Sequence, residues 1–533
     1  MFLSGVIILT FSNVLIKVIG LTLKIPLSHI LGDGGMAYYN VAYEIYVLFY
    51  MVSTAGLPVA ISILISESRA KGNFREAKLI FRITITLFLI IGFIGMAIMI
   101  GGSKLFAAAY QFSDAYIAIA AIAPTLFFIC VSSAVRGYFQ GYQNMIPTAI
   151  SQIIEALGKL AIGISFALYA TKMGYSLPVV AAFTILGLTI GVAFGMIFLV
   201  VSKLLFKPAP FDAEYMRPES DTLPVRSAKS LLKLIVLTAV PITLSASVMS
   251  FTSMIDGMII SRQLQSIGYT EDLTLIMFGN YKTLAISMFN MPPAIIYPIT
   301  YSVIPLLSAA IASSDKKRVN FIMNSTLKTA AILAIPCSLG MSVLSEPILC
   351  LFFAEESAKR AAPLLSILSL SIFFVAMLAV SNALLQTHKL ERKPIISMLI
   401  GSAVKLISSY ILIGIPSVNI FGAPIGTFLC YFTICAINFY FLARHVGLMP
   451  SVMDVFVRPF IASLCCAGAA IGSYKLLSLA GIHGRITTVL AIGVAVAVYA
   501  VAVFVFKCIN GDDVLLLPKG KKIYGLLHKL RLV

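Results

Sequence analysis

The chain has 533 residues, of which 60% are hydrophobic and only 11% charged, whereas a soluble domain carries about a quarter charged residues. That composition excludes a soluble enzyme and a disordered chain. The formal charge of +18 raises the question of nucleic acid, and its placement along the chain decides it.

A membrane-spanning helix needs roughly 20 apolar residues. Hydropathy and breakers predict spans over 6–27, 38–63, 83–101, 115–135, 146–170, 178–202, 234–260, 280–311, 325–345, 362–385, 395–414, 423–443, 459–478 and 486–507, fourteen in all. The first is expected to be retained rather than cleaved, because no basic segment precedes it and no small-residue site follows it. The eighth contains Pro292, Pro293, Pro298 and Pro305 and is expected to bend or break.

With both termini cytoplasmic, nearly all of the positive excess falls in cytoplasmic loops, as the positive-inside rule requires. Arg69, Lys71, Arg75, Lys78 and Arg82 form one such run, and Lys316, Lys317 and Arg318 another. The charge is therefore a topology signal, and nucleic acid is not an expected partner. The eight cysteines contain no CxxC and read as small packing residues, the five histidines lie near span ends, and no metal site or cofactor is expected.

The longest cytoplasmic connection carries Pro208, Pro210, Pro218 and Pro224 and suits a linker. Across it the halves repeat. Pro58, Ser66, Asn73 and Phe74 recur as Pro305, Ser313, Asn320 and Phe321; Phe127, Phe128, Gln140, Ser151, Lys159 and Leu160 recur as Phe373, Phe374, Gln386, Ser397, Lys405 and Leu406. One offset shared by two sets points to duplication of six helices, with a pseudo-two-fold axis along the membrane normal. The expected fold is an all-α polytopic membrane protein: an N-lobe over 1–202, a linker over 203–233, a C-lobe over 234–445, two added spans over 446–508 and a basic amphipathic tail over 509–533. The tail, with Lys519, Lys521, Lys522, Lys529 and Arg531 among leucines, is expected to lie on anionic lipid.

A lysine at mid-span costs about 2.5 to 3.5 kcal/mol on insertion scales, so such lysines face a cavity or a partner. In the first span Asn13, Lys17, Gly20, Lys24 and Ser28 share one helical face. Lys282 lies early in the interrupted eighth span near Asn280, Thr283, Ser287 and Asn290. Together Lys17, Lys24 and Lys282 suit a cationic cavity that attracts phosphate or pyrophosphate; the alternative for Lys24 is snorkelling to the interface, and for Lys282 an interfacial position. Glu155 and Lys159 are one turn apart and are expected to neutralise each other. Asp256 has three readings: a coupling-cation ligand, a partner for a cavity lysine, or a tie to a neighbouring helix. Arg262 is a candidate outer-gate charge. Glu44 stands beside Tyr39, Tyr43, Tyr46 and Tyr50, a stripe that suits interhelical packing, an interfacial belt, or contact with sugar or lipid. No Walker A, HExxH or GxSxG motif occurs, so an enzyme is not expected.

The stretch Val135-Arg136-Gly137-Tyr138-Phe139-Gln140-Gly141, continuing through Pro147 to Glu155, resembles a signature of the SpoVB and YtgP group. That group lies in the polysaccharide-exporter branch of the MATE-like (MOP) flippase superfamily, which also holds the MurJ-type lipid II flippases. Ile255-Asp256, Arg262-Gln263-Leu264-Gln265 and Gly268-Tyr269 resemble the end of the group's seventh helix. The resemblance implies export of a lipid-linked, undecaprenyl-pyrophosphate-type saccharide, lipid II first among the candidates, across the bacterial cytoplasmic membrane, with spore cortex synthesis as one setting. It also implies a lipid-tail groove from spans thirteen and fourteen. MurJ-type flippases carry arginines in the first and eighth helices; Lys17, Lys24 and Lys282 keep the charge there but lose the bidentate fork. Three rivals are a cation-coupled drug antiporter of the same fold, a membrane glycosyltransferase or polymerase, against which the lack of a carboxylate-bearing external loop counts, and a non-transporting scaffold for cell-wall synthesis enzymes.

Overall fold

The computed structural model describes residues 2–205, 224–313, 315–447, 450–481 and 484–509. Within them the chain is helical, with no strand. Contacts divide it into two compact units, Met1–Gly279 and Asn280–Val533.

The first unit contains α1 (Phe2–Thr54), α2 (Leu57–Ala70), α3 (Phe74–Gly101), α4 (Ser103–Ala109), α5 (Ala115–Gly141), α6 (Ile146–Lys172), α7 (Leu177–Leu205), α8 (Ala228–Ser266) and α9 (Glu271–Gly279). The second runs through a π-helical segment, Asn280–Ala285, then α10 (Ile286–Phe289), α11 (Met291–Ala312), α12 (Lys316–Val343), α13 (Ser345–Phe352), α14 (Glu355–Ser369), α15 (Ser371–Thr387), α16 (Arg392–Ile413) and α17 (Gly422–Val446). A second π turn, Met453–Val457, leads into α18 (Arg458–Leu479), and α19 (Arg485–Val505) follows.

Eleven helices among the described residues are long and apolar enough to cross a membrane, or twelve if α14 and α15, bent by 40°, form one span. The expected fourteen are not confirmed, and two places make the difference. The first two expected spans count together as Leu15–Ala70, although the helix breaks at Gly32, where φ is 64°. The eighth is interrupted by a turn at Asn290, just before Pro292, and its longer piece, Met291–Ala312, is not among the eleven.

Glycines bring α6 and α7 close together in the first unit. Gly187, Gly191 and Gly195 recur every four residues along α7, and a Cβ on Gly187 would lie 2.4 Å from the Gly163 Cα, one on Gly191 2.7 Å from the Lys159 nitrogen. Small residues at such spacing let two backbones touch in lipid, where dispersion rather than hydrophobicity binds helices.

The units do not divide at the expected linker, 203–233. The α8 helix belongs with the first unit because both its ends are tied there. At one end Arg226 donates to Glu76 through its backbone N–H (2.9 Å), Nε (3.2 Å) and Nη2 (2.7 Å), while Ser68 donates to the same carboxylate at 2.8 Å. Asn73 caps α3 by accepting from Glu76 N–H and donates to the Pro224 carbonyl. At the other end Arg262 and Gln265 donate to the carbonyls of Ala109 and Gln111 at 2.8 and 3.1 Å. Pro208, Pro210, Pro218, His483, His528 and the tail beyond 509 lie outside the described residues.

The turns after α5 and α15 share one form. Gln143 and Lys389 both take positive φ, 57° and 61°, and the next N–H in each returns to a carbonyl five residues back, Asn144 to Phe139 and Leu390 to Leu385, both at 3.0 Å.

Arg226→Ala keeps the backbone N–H but leaves the buried Glu76 carboxylate short of two side-chain donors and is expected to cost about 1.5 to 3 kcal/mol, read as a lower melting temperature of the purified protein in detergent. Gly191→Leu is expected to force α6 from α7 and abolish the folded monomer in size-exclusion chromatography, whereas Gly468→Ala, with open space at its Cβ, leaves the elution profile unchanged.

Candidate functional site

Lys17 and Lys24 stand on the first part of α1 in the first unit, Lys17 exposed and Lys24 half-buried. The side chain of Asn13 lies outside the described residues. Lys282 belongs to the second unit. It is buried, 4% exposed, in the π-helical segment, with its ammonium 5.9 Å from the centre of the Tyr281 ring. Asn280 and Thr283 are buried beside it in sequence, and the Tyr281 hydroxyl hydrogen-bonds Thr427 of α17 at 3.2 Å. π turns recur at functional sites because the extra residue displaces side chains from the α-helical register. Asn290 is exposed, apart from Asn280 and Thr283.

Glu155 is not neutralised by Lys159, as its spacing predicted. Arg136 on α5 donates Nη2 to Glu155 Oε1 and Nε to the Ser151 hydroxyl, so the ion pair joins two helices. Lys159 instead stands over the ring of Tyr43, 4.9 Å from its centre. The rest of the motif serves close packing of α5 on α2. A Cβ on Gly137 would meet the Pro58 carbonyl at 3.0 Å, and one on Gly141 would lie 2.7 Å from the Ile65 Cβ. The Gly141 carbonyl accepts from Ser66 at 2.9 Å and Arg69 at 3.3 Å, while Arg69 stacks on Tyr142 at 4.4 Å. Pro147 opens α6, where a missing N–H costs nothing, and Gln140 is half-buried.

Glu44 faces α8 rather than the tyrosine stripe. It accepts from Tyr110 at 3.0 Å and Ser253 at 3.4 Å, and Gly257 leaves the room. Tyr110 also reaches the Met254 carbonyl at 3.1 Å. Asp256 is fully buried next to Gly257, and Arg262, exposed, is held by the Ala109 carbonyl. Near these, a polar pocket of about 420 Å³ is lined by Lys104, Gln111, Asp114, Tyr116 and Glu271. Burial pushes the Glu271 carboxyl up, and Asp114 and Asp272 add to the shift.

Two features escaped the sequence reading. A cavity of about 600 Å³ in the second unit is lined almost wholly by apolar groups, among them Phe373, Phe374, Phe428, Phe432, Phe456 and Phe460; only the recurrence of Phe127 and Phe128 as Phe373 and Phe374 pointed there. The other is a neutral knot. Asn438 Nδ2 donates to Ser381 at 3.0 Å and Asn382 Oδ1 at 2.7 Å, and its Oδ1 accepts from Ser397 at 2.6 Å. No group of three metal-ligating side chains occurs among the described residues.

The family model described as Polysaccharide biosynthesis protein matches residues 2–311, and the MatE model matches residues 241–411. Lipid II flippase MurJ of Bacillus subtilis (strain 168) is 25% identical over 461 residues, 84% of this chain and 83% of that protein. Stage V sporulation protein B of the same organism is 20% identical over 526 residues, 97% of this chain and 98% of that one. A solved structure of lipid II flippase MurJ in an inward closed conformation covers 94% of this chain and 98% of its own at TM-score 0.68 and 17% identity, a likeness of fold. A multi-pass membrane protein, this chain belongs to the polysaccharide biosynthesis protein family within the MATE-like, MurJ-like flippase superfamily.

Proposed function

We propose that the protein is a flippase that carries a lipid-linked saccharide, lipid II first among the candidates, across the bacterial cytoplasmic membrane with both termini cytoplasmic. Lys282, buried on a π turn inside a broken span, is the observation that carries this reading. A buried ammonium among polar neighbours suits recognition of an anionic headgroup, and a pyrophosphate is such a group. Lys17 and Lys24 on the polar face of α1 are further cationic candidates for a pyrophosphate, as point charges without the fork of arginine.

Alternating access by two duplicated six-helix lobes fits the chain's internal repeat, and the shared turn at Gln143 and Lys389 supports the duplication. The Phe-lined cavity includes Phe456 and Phe460 at the start of the thirteenth predicted span, which suits the hydrocarbon part of such a substrate. Spore cortex synthesis is one setting for this activity, supported by the similarity to stage V sporulation protein B. A cation-coupled antiporter of the same fold is favoured by one observation, the fully buried Asp256 on α8, and dye efflux from loaded vesicles distinguishes it. A non-transporting scaffold for cell-wall synthesis enzymes predicts that the lysines are dispensable.

Transbilayer movement of lipid II in proteoliposomes tests the proposal. Lys17→Ala and Lys282→Ala are each expected to slow it at least about tenfold, a loss of about 1.4 kcal/mol, while Lys282→Arg retains it. Unchanged movement in both alanine variants, in stably inserted protein, overturns the assignment.

A further inference from the structure

Four tyrosines, Tyr39, Tyr43, Tyr46 and Tyr50, follow one another along a single face of α1 beyond its kink. Successive ring centres are 6.0 Å apart, and the first and last pairs are near parallel, at 10° and 21°. Tyr39 and Tyr46 are buried, at 3% and 7% exposure, but Tyr43 and Tyr50 are only half-buried. Tyr43 and Tyr50, seven residues apart and therefore on one side of the helix, are left partly uncovered, with Lys159 over one face of Tyr43.

The surroundings are polar. Across from the ladder α6 carries Gln152, Glu155 and Lys159 on one face, all half-buried. Arg136 cancels the charge of Glu155, and Lys159 keeps its single positive charge against the ring of Tyr43. The amide oxygen of Gln152 is buried and accepts no hydrogen bond within the protein, an acceptor without a donor. Flat aromatic faces, phenol hydroxyls and a vacant amide acceptor are what a pyranose ring needs: its C–H face lies on the ring, and its hydroxyls hydrogen-bond around the rim.

We infer that the Tyr43 and Tyr50 face of α1, with Gln152 of α6, is a docking surface for the uncharged sugar rings of the transported lipid, separate in residues and in chemistry from the lysines that take its pyrophosphate. The inference rests on the proposed flippase reading and adds a second point of recognition to it. Charge alone cannot tell one pyrophosphate lipid from another, so this surface makes the protein select for the saccharide.

The chain contains no tryptophan, so Tyr43→Trp provides a single reporter that keeps a flat ring at the site. The full-length protein in nanodiscs is titrated with a polyprenyl-pyrophosphate disaccharide and with the same polyprenyl pyrophosphate lacking sugar. The expected result is a tryptophan emission change with the first lipid and not the second. In parallel, Tyr43→Leu and Tyr50→Leu, which keep apolar bulk but lose the ring, bind the disaccharide lipid about tenfold more weakly and the sugar-free lipid as the wild type does, while Tyr50→Phe stays within about threefold. The inference is overturned if the leucine variants bind the disaccharide lipid normally, if they lose both lipids equally, or if the emission does not distinguish the two. Wild type that binds neither lipid removes the flippase reading as well, whereas wild type that binds both with one affinity removes only this inference.

Discussion

Hydrocarbon offers no hydrogen bonds, and every polar group carried into a membrane must find its partner inside the protein or face something wet. Most of the architecture follows from that single demand. The Arg136 and Glu155 pair closes α5 on α6, with Ser151 taking a further guanidinium N–H. Glu44, inside a helix of mostly apolar residues, is met by Tyr110 and Ser253, and this ties α1 to α8. Where no polar tie is available, glycines take over, and α6 and α7 meet backbone to backbone. Each device buries little apolar area, because in lipid apolar burial is not what holds helices together.

The two halves meet this demand with different chemistry at matching positions. Arg136 and Ser151 in the first half correspond, at the spacing of the repeat, to Asn382 and Ser397 in the second. Both pairs sit in interhelical knots, but the first is ionised and the second is built only of amides and hydroxyls. The backbone turn nearby has changed far less, since Gln143 and Lys389 keep the same left-handed conformation. Side-chain partnerships have diverged while the chain path around them has held.

Periodicity and breakers made most spans legible, because apolar length and proline are properties of a single helix. They failed where the outcome depends on a second one. The run from Ser28 to Gly35 has the polarity of a loop, yet it stays helical apart from Gly32, because only one residue needs to leave the helical region of backbone space. Glu155 has a lysine one turn away along its own helix and an arginine nineteen residues back. Sequence spacing sees the first neighbour, and packing selects the second. Of the candidate site, the intramembrane lysines were visible as anomalies of composition, the tyrosine stripe as a period, and the Phe-lined cavity hardly at all, since a void is a property of four helices together.

The π-helical segment at Asn280–Ala285 has a further mechanical meaning. It stores one surplus residue in its winding, and an α-helix advances by about 100° per residue. Relative to an unbroken α-helix, the side chains beyond it are therefore turned by about that angle. Lys282 lies within that winding, so the bearing of its ammonium is set by the surplus residue as well as by the helices on either side.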